Sequence, residues 1–441
     1  MTVVFPEDWH PLVAHVQANA YSKPQQAIEA ARQLLKLCSS PEHIAYVYEK
    51  LGFAHLILGE HRLSCLFYEQ ARELDPDNIY VLANLAHAQY ELGERVKAIH
   101  TGREALRLKD KLACSNPPTP KSPLGQRYLG NSNLISYSLH GNQPRYCEMA
   151  VLNVMAAKQH LPDFVCRFYV DETTPVAVLN RLEALGAQCL HIDEKTKRMP
   201  ATFWRFLAMD DPQADCVLVR DVDSLIDAKD AWCVQDWRQT KYDFHVIRDD
   251  CCHTELILAG LFGIRSGVVR DIQSHIDHFM QGNDSAVWER FADQLFLRHH
   301  IWPLVHKRTL THDQIYSYGA HVHPLKFVPT EHASPLNTFI GANHATCQIA
   351  CTVENNTAET TPYVSLHNET GTLICRYMMQ KDEANPTHWR SYLPMSYMQA
   401  LESGKWQYDI ETYAEGQVQQ GEGSTDPQLL GFEPNLATHK G

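Results

Sequence analysis

The chain has 441 residues, of which 44% are hydrophobic and 21% charged, and its formal net charge is −13 at pH 7. A chain this long exceeds one ordinary core, so two or three domains are expected. The negative charge argues against a nucleic-acid binder, because such proteins carry a basic face that neutralises phosphates. No run approaches the roughly 18 apolar residues of a membrane span, and no secretory signal is evident. The 13 cysteines are scattered without a CxxC motif, which favours reduced thiols and a cytoplasmic protein.

Two consecutive segments, starting at Ala45 and Ile79, repeat one another at a spacing of 34 residues. In register, Gly59 of the first segment matches Gly93 of the second. Apolar residues recur at helical spacing, and the shared glycine falls where two helices must turn. The segments resemble tetratricopeptide repeats, which are pairs of antiparallel helices.

The second segment departs from the tetratricopeptide pattern at two positions. Gly102 occupies a usual aromatic position, and Asp110 stands where Pro76 closes the first segment. Residues 10–43 predict an earlier, degenerate helical pair, so residues 1–112 are predicted to form a helical repeat domain. This domain is either a cap packed on the next domain or a groove for a partner or acceptor. The short array also leaves a face available for pairing with a second copy, so a homodimer is one expected assembly.

A proline-rich linker is predicted at 113–126, and a strand–helix alternation follows it. This alternation predicts βαβ units and a mostly parallel sheet. Strands are expected at 133–139, 164–170 and 187–193, and helices at 145–160, 174–186 and 201–209.

The carboxy-terminal region, 348–441, has a different sequence pattern from the strand–helix alternation before it. A hairpin with a turn near Glu369–Gly371 is expected, and the tail from Gly416, rich in Gly, Gln, Glu and Pro, is expected to be loose.

The stretch DCVLVRDVDSLID, residues 215–227, ends an apolar strand in two carboxylates, Asp221 and Asp223. Ligands of open α/β sheets bind at the carboxyl ends of strands. Two carboxylates so close repel one another, so a site that keeps both charged usually holds a cation. Oxygen ligands suit Mn²⁺ or Mg²⁺, which can neutralise a diphosphate leaving group. A solvated turn after a core strand is the alternative interpretation.

Residues 130–345 resemble nucleotide-sugar-dependent glycosyltransferases of the GT-A fold, whose signature is an Asp-x-Asp after the fourth strand. The segments that carry the resemblance, in order, are ISYSLHG (135–141), RFYVDETTP (167–175), FWRFLAMDDPQADCVLVRDVDS (203–224), HTELILAGLFGIRSG (253–267) and FADQLFLRHHIWP (291–303). It implies an α + α/β fold class. A helical, tetratricopeptide-like array is followed by a GT-A domain with a Rossmann-like mixed sheet at 127–347 and by a small extension, partly β, at 348–441.

The resemblance also implies residue roles at the donor site. Asp223 would bind the metal directly, and Asp221 would contact the ribose or the metal. Arg205 would reach the diphosphate, with an ion pair to Asp210 or Asp211 as the alternative. Three further residues at the ends of early strands would face the nucleoside: Ser138, His140 and Asp171.

Further implied roles concern the third metal ligand and the acceptor side. The segment NTFIGANHA, 337–345, offers Asn343 or His344 as the third ligand, and the pair His312–Asp313 competes with it. Asp293 would be the general base that deprotonates the acceptor hydroxyl, or else a capping or solvated residue. His253 would contact donor sugar or acceptor, or else be a buried, hydrogen-bonded histidine. Ser224 would cap the helix or turn that follows.

The resulting hypothesis is a metal-dependent glycosyltransferase that uses a nucleotide-sugar, most commonly a UDP-sugar. The acceptor would be a protein, a polysaccharide or a lipid-linked glycan, recruited with the help of the helical repeats. One alternative is a catalytically inactive scaffold that retains a nucleotide-sugar-binding fold. Another is a nucleotidyltransferase or diphosphate hydrolase, although the glycine-rich basic loop usual in nucleotidyltransferases is missing after the first predicted strand.

Overall fold

A computed structural model describes residues 3–115, 117, 124–282, 291–326, 339–353, 360–382 and 385–432. The chain divides into two compact units. The first comprises Met1–Pro118, Arg248–Leu256 and Thr311–Pro324, and the second comprises Thr119–Ile247, Ile257–Leu310 and Leu325–Gly441. Within the described ranges, no helix has the length and apolar character needed to cross a membrane.

The first unit is helical at its amino-terminal end, as predicted. Its helices in the described residues are α1 His10–Asn19, α2 Pro24–Leu37, α3 Pro41–Ile57, α4 His61–Leu74, α5 Ile79–Glu91 and α6 Arg95–Ser115. The repeated segments form the hairpins α3–α4 and α5–α6. Gly59 and Gly93 lie in their turns with φ of 72° and 81°, a left-handed conformation that glycine adopts without steric cost.

Gly102 and Asp110, at which the second repeat departs from the tetratricopeptide pattern, both lie against residues of the segment 311–324 of the same unit. A Cβ at Gly102 would overlap the ring of Tyr316, so the tyrosine fills space that the pattern gives to an aromatic residue on α6. The carboxylate of Asp110 accepts a hydrogen bond from the hydroxyl of Tyr318 at 2.8 Å. The segment 311–324 therefore packs as part of this unit.

Eight strands form one mixed sheet in the order β3-β2-β1-β4-β6-β5-β7-β8. The strands are β1 Ser132–Leu139, β2 Phe164–Val170, β3 Gln188–His191, β4 Ala214–Arg220, β5 Phe244–Arg248, β6 Leu261–Arg265, β7 Thr309–Asp313 and β8 His321–His323. β1 pairs in parallel with β2 and β4, β2 pairs in parallel with β3, and β6 is antiparallel to β4 and β5. The predicted alternation and mixed sheet are confirmed.

The helices beside these strands are α7 Pro144–His160, α8 Val176–Ala184, α9 Ala228–Arg238, α10 Ile272–Gly282, α11 Ala292–Phe296 and α12 Trp302–Val305. Where an α-helix was predicted at 201–209, the chain forms a 3-10 helix, Ala201–Asp210. Asp227 caps α9 by accepting from the Asp230 amide at 2.8 Å. The cap expected at Ser224 is therefore supplied three residues later.

The carboxy-terminal elements are β9 Thr346–Thr352, β10 Thr360–Asn368, β11 Leu373–Met378, β12 Gln380–Lys381, β13 His388–Pro394, α13 Met395–Glu402 and β14 Trp406–Ala414. They form two three-stranded sheets, β11-β10-β14 and β12-β13-β9. The expected hairpin is β10–β11, with Gly371 at φ 81° in its turn. Where a loose tail was expected, Gly421 and Ser424 donate backbone hydrogen bonds to β11 at 2.8 and 2.9 Å.

The carboxy-terminal sheets share one core with α7 and α8, and a buried carboxylate lies within it. Glu148 on α7 is fully buried. It accepts hydrogen bonds from Arg181 at 2.5 and 3.0 Å and from the hydroxyls of Tyr377 and Tyr397, each at 2.6 Å. Two of the three residues that satisfy this charge come from beyond residue 348. Residues of the region predicted as an extension thus contribute to the core of the second unit.

Candidate active site

Parallel pairing places the predicted donor-side residues at one edge of the sheet. In register, Leu139 of β1 lies opposite Val170 of β2, and Ser136 of β1 lies opposite Val219 of β4. Because parallel strands end at the same edge, the residues that follow β1, β2 and β4 gather there. Those residues are His140, Asp171, Asp221 and Asp223, and Ser138 is the last residue but one of β1.

Arg205 is the central cation of this edge. Its side chain is buried, Nη1 donates to Asp221, and Nη2 donates to Asp293 at 2.9 Å. Burial opposes the positive charge, but the carboxylates of Asp221 and Asp293 offset it and raise the pKa of Arg205. The guanidinium is therefore charged and shared between two acids.

The alternative ion pair of Arg205 with Asp210 or Asp211 is wrong. Asp211 instead accepts from Arg167, and Asp210 accepts from the backbone amide of Ile272 at 3.1 Å. From the 3-10 helix, Arg205 contacts Asp221 and Asp293 instead.

Two serines of β1 hold the backbone of Arg205. The hydroxyl of Ser136 donates to the Arg205 carbonyl at 2.7 Å, and the Arg205 amide donates to the hydroxyl of Ser138 at 3.1 Å. Ser138 thus positions the arginine. Its contact with a nucleoside stays a prediction.

The segment that contains His344 pairs with the end of the DVD motif. Ser224 and Asn343 form an antiparallel bridge, the His344 amide donates to the Asp223 carbonyl at 2.7 Å, and the Ser224 hydroxyl donates to the Ala342 carbonyl at 3.1 Å. The His344 residue is 5% exposed, yet neither ring nitrogen has a hydrogen-bond partner among the described residues. Burial lowers the pKa of His344, so the imidazole is neutral at pH 7 and keeps a free lone pair.

Asp223 has a negatively charged neighbour, Asp221, and a positively charged one, Arg145. Burial and then the neighbouring Asp221 carboxylate raise its pKa to about 6, against the effect of Arg145, whose Nη2 lies 3.7 Å from its Oδ2. Backbone pairing brings Asp223 and His344 to neighbouring segments, and a carboxylate and an imidazole are both donors that a divalent cation can take. In the described residues, the side-chain donors of Asp221, Asp223 and His344 do not all lie within 4.8 Å of one another. Asp221 is instead engaged by Arg205.

Gly260, just before β6, leaves room for Asp221. A Cβ at this position would overlap the Asp221 carboxylate and lie 3.0 Å from its backbone nitrogen. The sequence analysis assigned no role to Gly260 or Arg145. The only sequence signals were the place of Gly260 in the segment HTELILAGLFGIRSG and the place of Arg145 at the start of the helix predicted at 145–160.

His140 and Asp171 border the same edge. His140 is exposed, and its ring lies 5.8 Å from that of Trp204 in an edge-on contact. Asp171 accepts from the Thr173 amide at 3.0 Å, and Thr173 in turn accepts from the Gly141 amide at 2.6 Å. These hydrogen bonds join the loops after β1 and β2, which gives Asp171 a loop-ordering role beside its predicted contact with the nucleoside.

Asp293 lies at the start of α11 and is buried. Its Oδ2 accepts from Arg205 at 2.9 Å and its Oδ1 accepts from the Gln294 amide at 2.9 Å. Burial raises the pKa of Asp293, against the effect of Arg205. With both oxygens engaged, its described contacts are those of an ion-pair partner, and its role as general base stays a prediction.

The remaining predicted residues belong to the first unit. His253 is buried, and its Nδ1 accepts from the Asp249 amide at 3.0 Å, which matches the alternative of a hydrogen-bonded histidine. Asp313, part of the competing third-ligand pair, contacts Arg248 at 3.0 Å with both side chains fully buried. Its charge is thus already compensated within the helical unit.

No protein-family model matches the sequence. No curated protein matches it either.

Solved structures show weak likenesses to parts of the chain. The TPR2B domain of yeast Sti1 in its complex with pHsp70 is 19% identical over 24% of this chain and 84% of its own, with a TM-score of 0.23. A mutant O-GlcNAc transferase of Thermobaculum terrenum is 16% identical over 43% of this chain and 42% of its own, with a TM-score of 0.25. The galactosyltransferase LgtC, in complex with donor and acceptor sugar analogs, is 16% identical over 41% of this chain and 73% of its own, with a TM-score of 0.31. Likenesses this low carry no conclusion about fold or activity.

Proposed function

We propose that the protein is a glycosyltransferase that transfers a sugar from a nucleoside-diphosphate donor held at the carboxyl edge of β1, β2 and β4. The observation that supports this most is His344, a buried, neutral imidazole whose two ring nitrogens have no hydrogen-bond partner in the part of the chain that the structure describes, and whose backbone pairs with Asp223. An unsatisfied buried polar group is costly, so an imidazole of this kind on the segment that pairs with the DVD motif supports a ligand there.

In this proposal, Asp223 and His344 hold a divalent cation, Mn²⁺ or Mg²⁺. When bound, the cation would neutralise negative charge on the diphosphate leaving group. Asp221 is left to orient Arg205 or to accept a hydrogen bond from the ribose, consistent with its contact with the guanidinium.

Cationic side chains contact the same carboxylates. Arg205 is buried and charged, and Arg145 is 34% exposed with its Nη2 3.7 Å from Asp223. A site with adjacent acids and guanidinium groups can take a cation and a diphosphate together, because each sign of charge has a partner. If the DVD motif were only a solvated turn, water would solvate its carboxylates and neither arginine would be required.

The acceptor is proposed to be a protein, a polysaccharide or a lipid-linked glycan. The helical hairpins of the first unit are proposed to recruit it, since stacked helical pairs present extended binding surfaces. Asp293 is proposed to activate the acceptor hydroxyl or, as its contacts favour, to fix Arg205.

Calorimetry with UDP, GDP and CMP, each with and without Mn²⁺, tests the donor site. One nucleotide should bind the wild-type chain in a Mn²⁺-dependent manner. The affinity should fall at least about tenfold in Asp223→Ala and in His344→Ala, as for loss of a group that supports a metal. Asp409→Ala, which removes an exposed aspartate from β14, is the control and should bind like the wild type.

The same preparations should release free nucleotide from the matching nucleotide-sugar when water replaces the acceptor. If no nucleotide binds the wild-type chain, the donor site is not functional and the inactive scaffold becomes the better description. Binding without release of nucleotide from any nucleotide-sugar would count against transferase activity.

A further inference from the structure

A cluster of histidine, glutamate and cysteine side chains that could hold a metal ion lies in the first unit. The donor atoms of His87, Glu91 and Cys251 all lie within 4.8 Å of one another. His87 and Glu91 are one helical turn apart on α5, with Nε2 and Oε1 separated by 3.8 Å. Residues four apart on a helix share a face, so both side chains point to the same side.

Cys251 reaches this face from a segment 160 residues further along the chain in the same unit. It is 1% exposed and forms no disulfide. Its thiol donates to Asp250 at 3.4 Å, a weak contact for a buried group. The cluster thus brings together an imidazole, a carboxylate and a thiol that no local sequence motif connects.

Two neighbours make the surroundings suitable for a cation. Asp250 adds a carboxylate beside the thiol and also accepts from the Cys252 amide at 2.9 Å. His61, at the start of α4, is an electrostatic neighbour of His87, and its buried Nδ1 has no hydrogen-bond partner among the described residues. The surroundings of the cluster are therefore rich in groups that can accept a hydrogen bond or bind a cation.

We infer that His87, Glu91 and Cys251 form a zinc site that joins α5 to the segment 249–256. Nitrogen, oxygen and sulfur donors together are the set that Zn²⁺ takes, whereas Mg²⁺ and Ca²⁺ prefer oxygen alone. Ligands of a tetrahedral zinc lie about 3.5 Å apart, so small side-chain rotations close the observed spacing. Three protein donors leave a fourth position for water. On binding, the thiol loses its proton to solvent and coordinates as the thiolate.

The zinc site is independent of the proposed donor site. Its consequence is structural, because the zinc would fix the segment that contains His253 against the helical array of the same unit. Metal bound only by the native state also raises stability by mass action.

Cobalt substitution tests the site in the full-length chain stripped of metal by a chelator. Asp223→Ala is the parent, so that the proposed donor site does not contribute. One equivalent of Co²⁺ should give a thiolate-to-cobalt charge-transfer band. The band should be lost when His87→Ala or Cys251→Ser is added. It should persist with His100→Ala and Cys38→Ser, which remove a histidine and a cysteine outside the cluster.

A charge-transfer band that survives in both cluster variants, or its absence from the parent, would overturn the inference. Because a cluster variant can unfold for other reasons, X-ray absorption of the zinc-loaded wild-type chain gives an independent readout. One sulfur atom in the first shell supports the site. A shell of nitrogen and oxygen alone rejects it.

Discussion

Arg205 donates a hydrogen bond to Asp293 at 2.9 Å across 88 residues of sequence, while its other terminal nitrogen contacts Asp221. A buried cation shared by two acids links the strand end that contains the DVD motif to the segment that starts α11. A substitution of Asp221 or Asp293 should therefore change the charge balance around the other acid.

Asp293→Ala should lower the free energy of unfolding by about 3 kcal/mol, since removing one partner leaves a buried charge less compensated. The low end of the usual range applies because Arg205 keeps Asp221. Urea denaturation monitored by circular dichroism measures the loss. Asp277→Ala is the control, because its ion pair with Lys195 spans 3.8 Å at the surface. It should cost less than about 1 kcal/mol. Equal losses in the two variants would contradict the importance of the buried pair.

Gly260→Ala should weaken nucleotide binding at least tenfold while the chain stays folded. The added methyl group would overlap the Asp221 carboxylate and displace it from Arg205. Calorimetry with the nucleotide that binds the wild type provides the measurement. Gly282→Ala, where a Cβ would meet nothing within 4 Å, is the matched control. Unchanged affinity in Gly260→Ala would show that the position of Asp221 is unimportant for binding.

Gly102→Ala should destabilise the helical unit by about 2 kcal/mol, because the new methyl group overlaps the Tyr316 ring in a packed interior. Adding Tyr316→Ala to Gly102→Ala should cost less than the sum of the two single changes, since the second change makes room for the first. Thermal unfolding of all four chains completes the double-mutant cycle. Strict additivity would mean that the two positions do not compete for space.

His300 should make stability depend on pH. Its ring packs against Phe296 and Phe279, with centroids 5.7 and 5.4 Å away. Burial, with smaller contributions from His278, His275 and His299, lowers its pKa to about 4. The folded state then resists protonation. Its stabilising effect is complete above about pH 6.5 and is lost as the pH falls toward 4, with about 2 kcal/mol of it lost by pH 5.

His300→Phe should reduce this acid-side loss, and it should cost little at pH 7 because His300 Nδ1 has no partner among the described residues. Urea denaturation at pH 7 and pH 5 gives the comparison. His388→Phe, which changes an exposed histidine, should keep the wild-type difference. An unaltered pH dependence in His300→Phe would rule out the assignment.

Tyr397→Phe should destabilise the second unit by about 2 kcal/mol, because it removes a hydrogen bond to the fully buried carboxylate of Glu148. Tyr413→Phe is the control, since its hydroxyl contacts Glu411 at the surface. Differential scanning calorimetry measures both variants. If Tyr397→Phe has the same melting temperature as the wild type, the stability of the carboxy-terminal sheets does not depend on this hydrogen bond.

The sequence by itself determined the elements whose cause is local. β2 has the predicted bounds, the hairpin β10–β11 turns where expected, and Gly59 and Gly93 mark the helical turns. Apolar periodicity and turn conformation depend on residues a few positions apart, so they can be read along the chain. The position of Asp221 and Asp223 at a strand end followed from the same local pattern.

Only the tertiary structure decided which distant groups meet. Arg205 pairs with Asp293 and not with the nearby Asp211, and Tyr316 fills the space above Gly102. Neither partner is marked in the sequence, because an ion pair or a packing contact depends on how separate segments close in space. The same holds for His344 beside Asp223, which one short bridge sets in place. Local sequence patterns specify the helices, strands and turns. Which side chains meet at the candidate site depends on how burial and charge are balanced between segments that are distant in sequence.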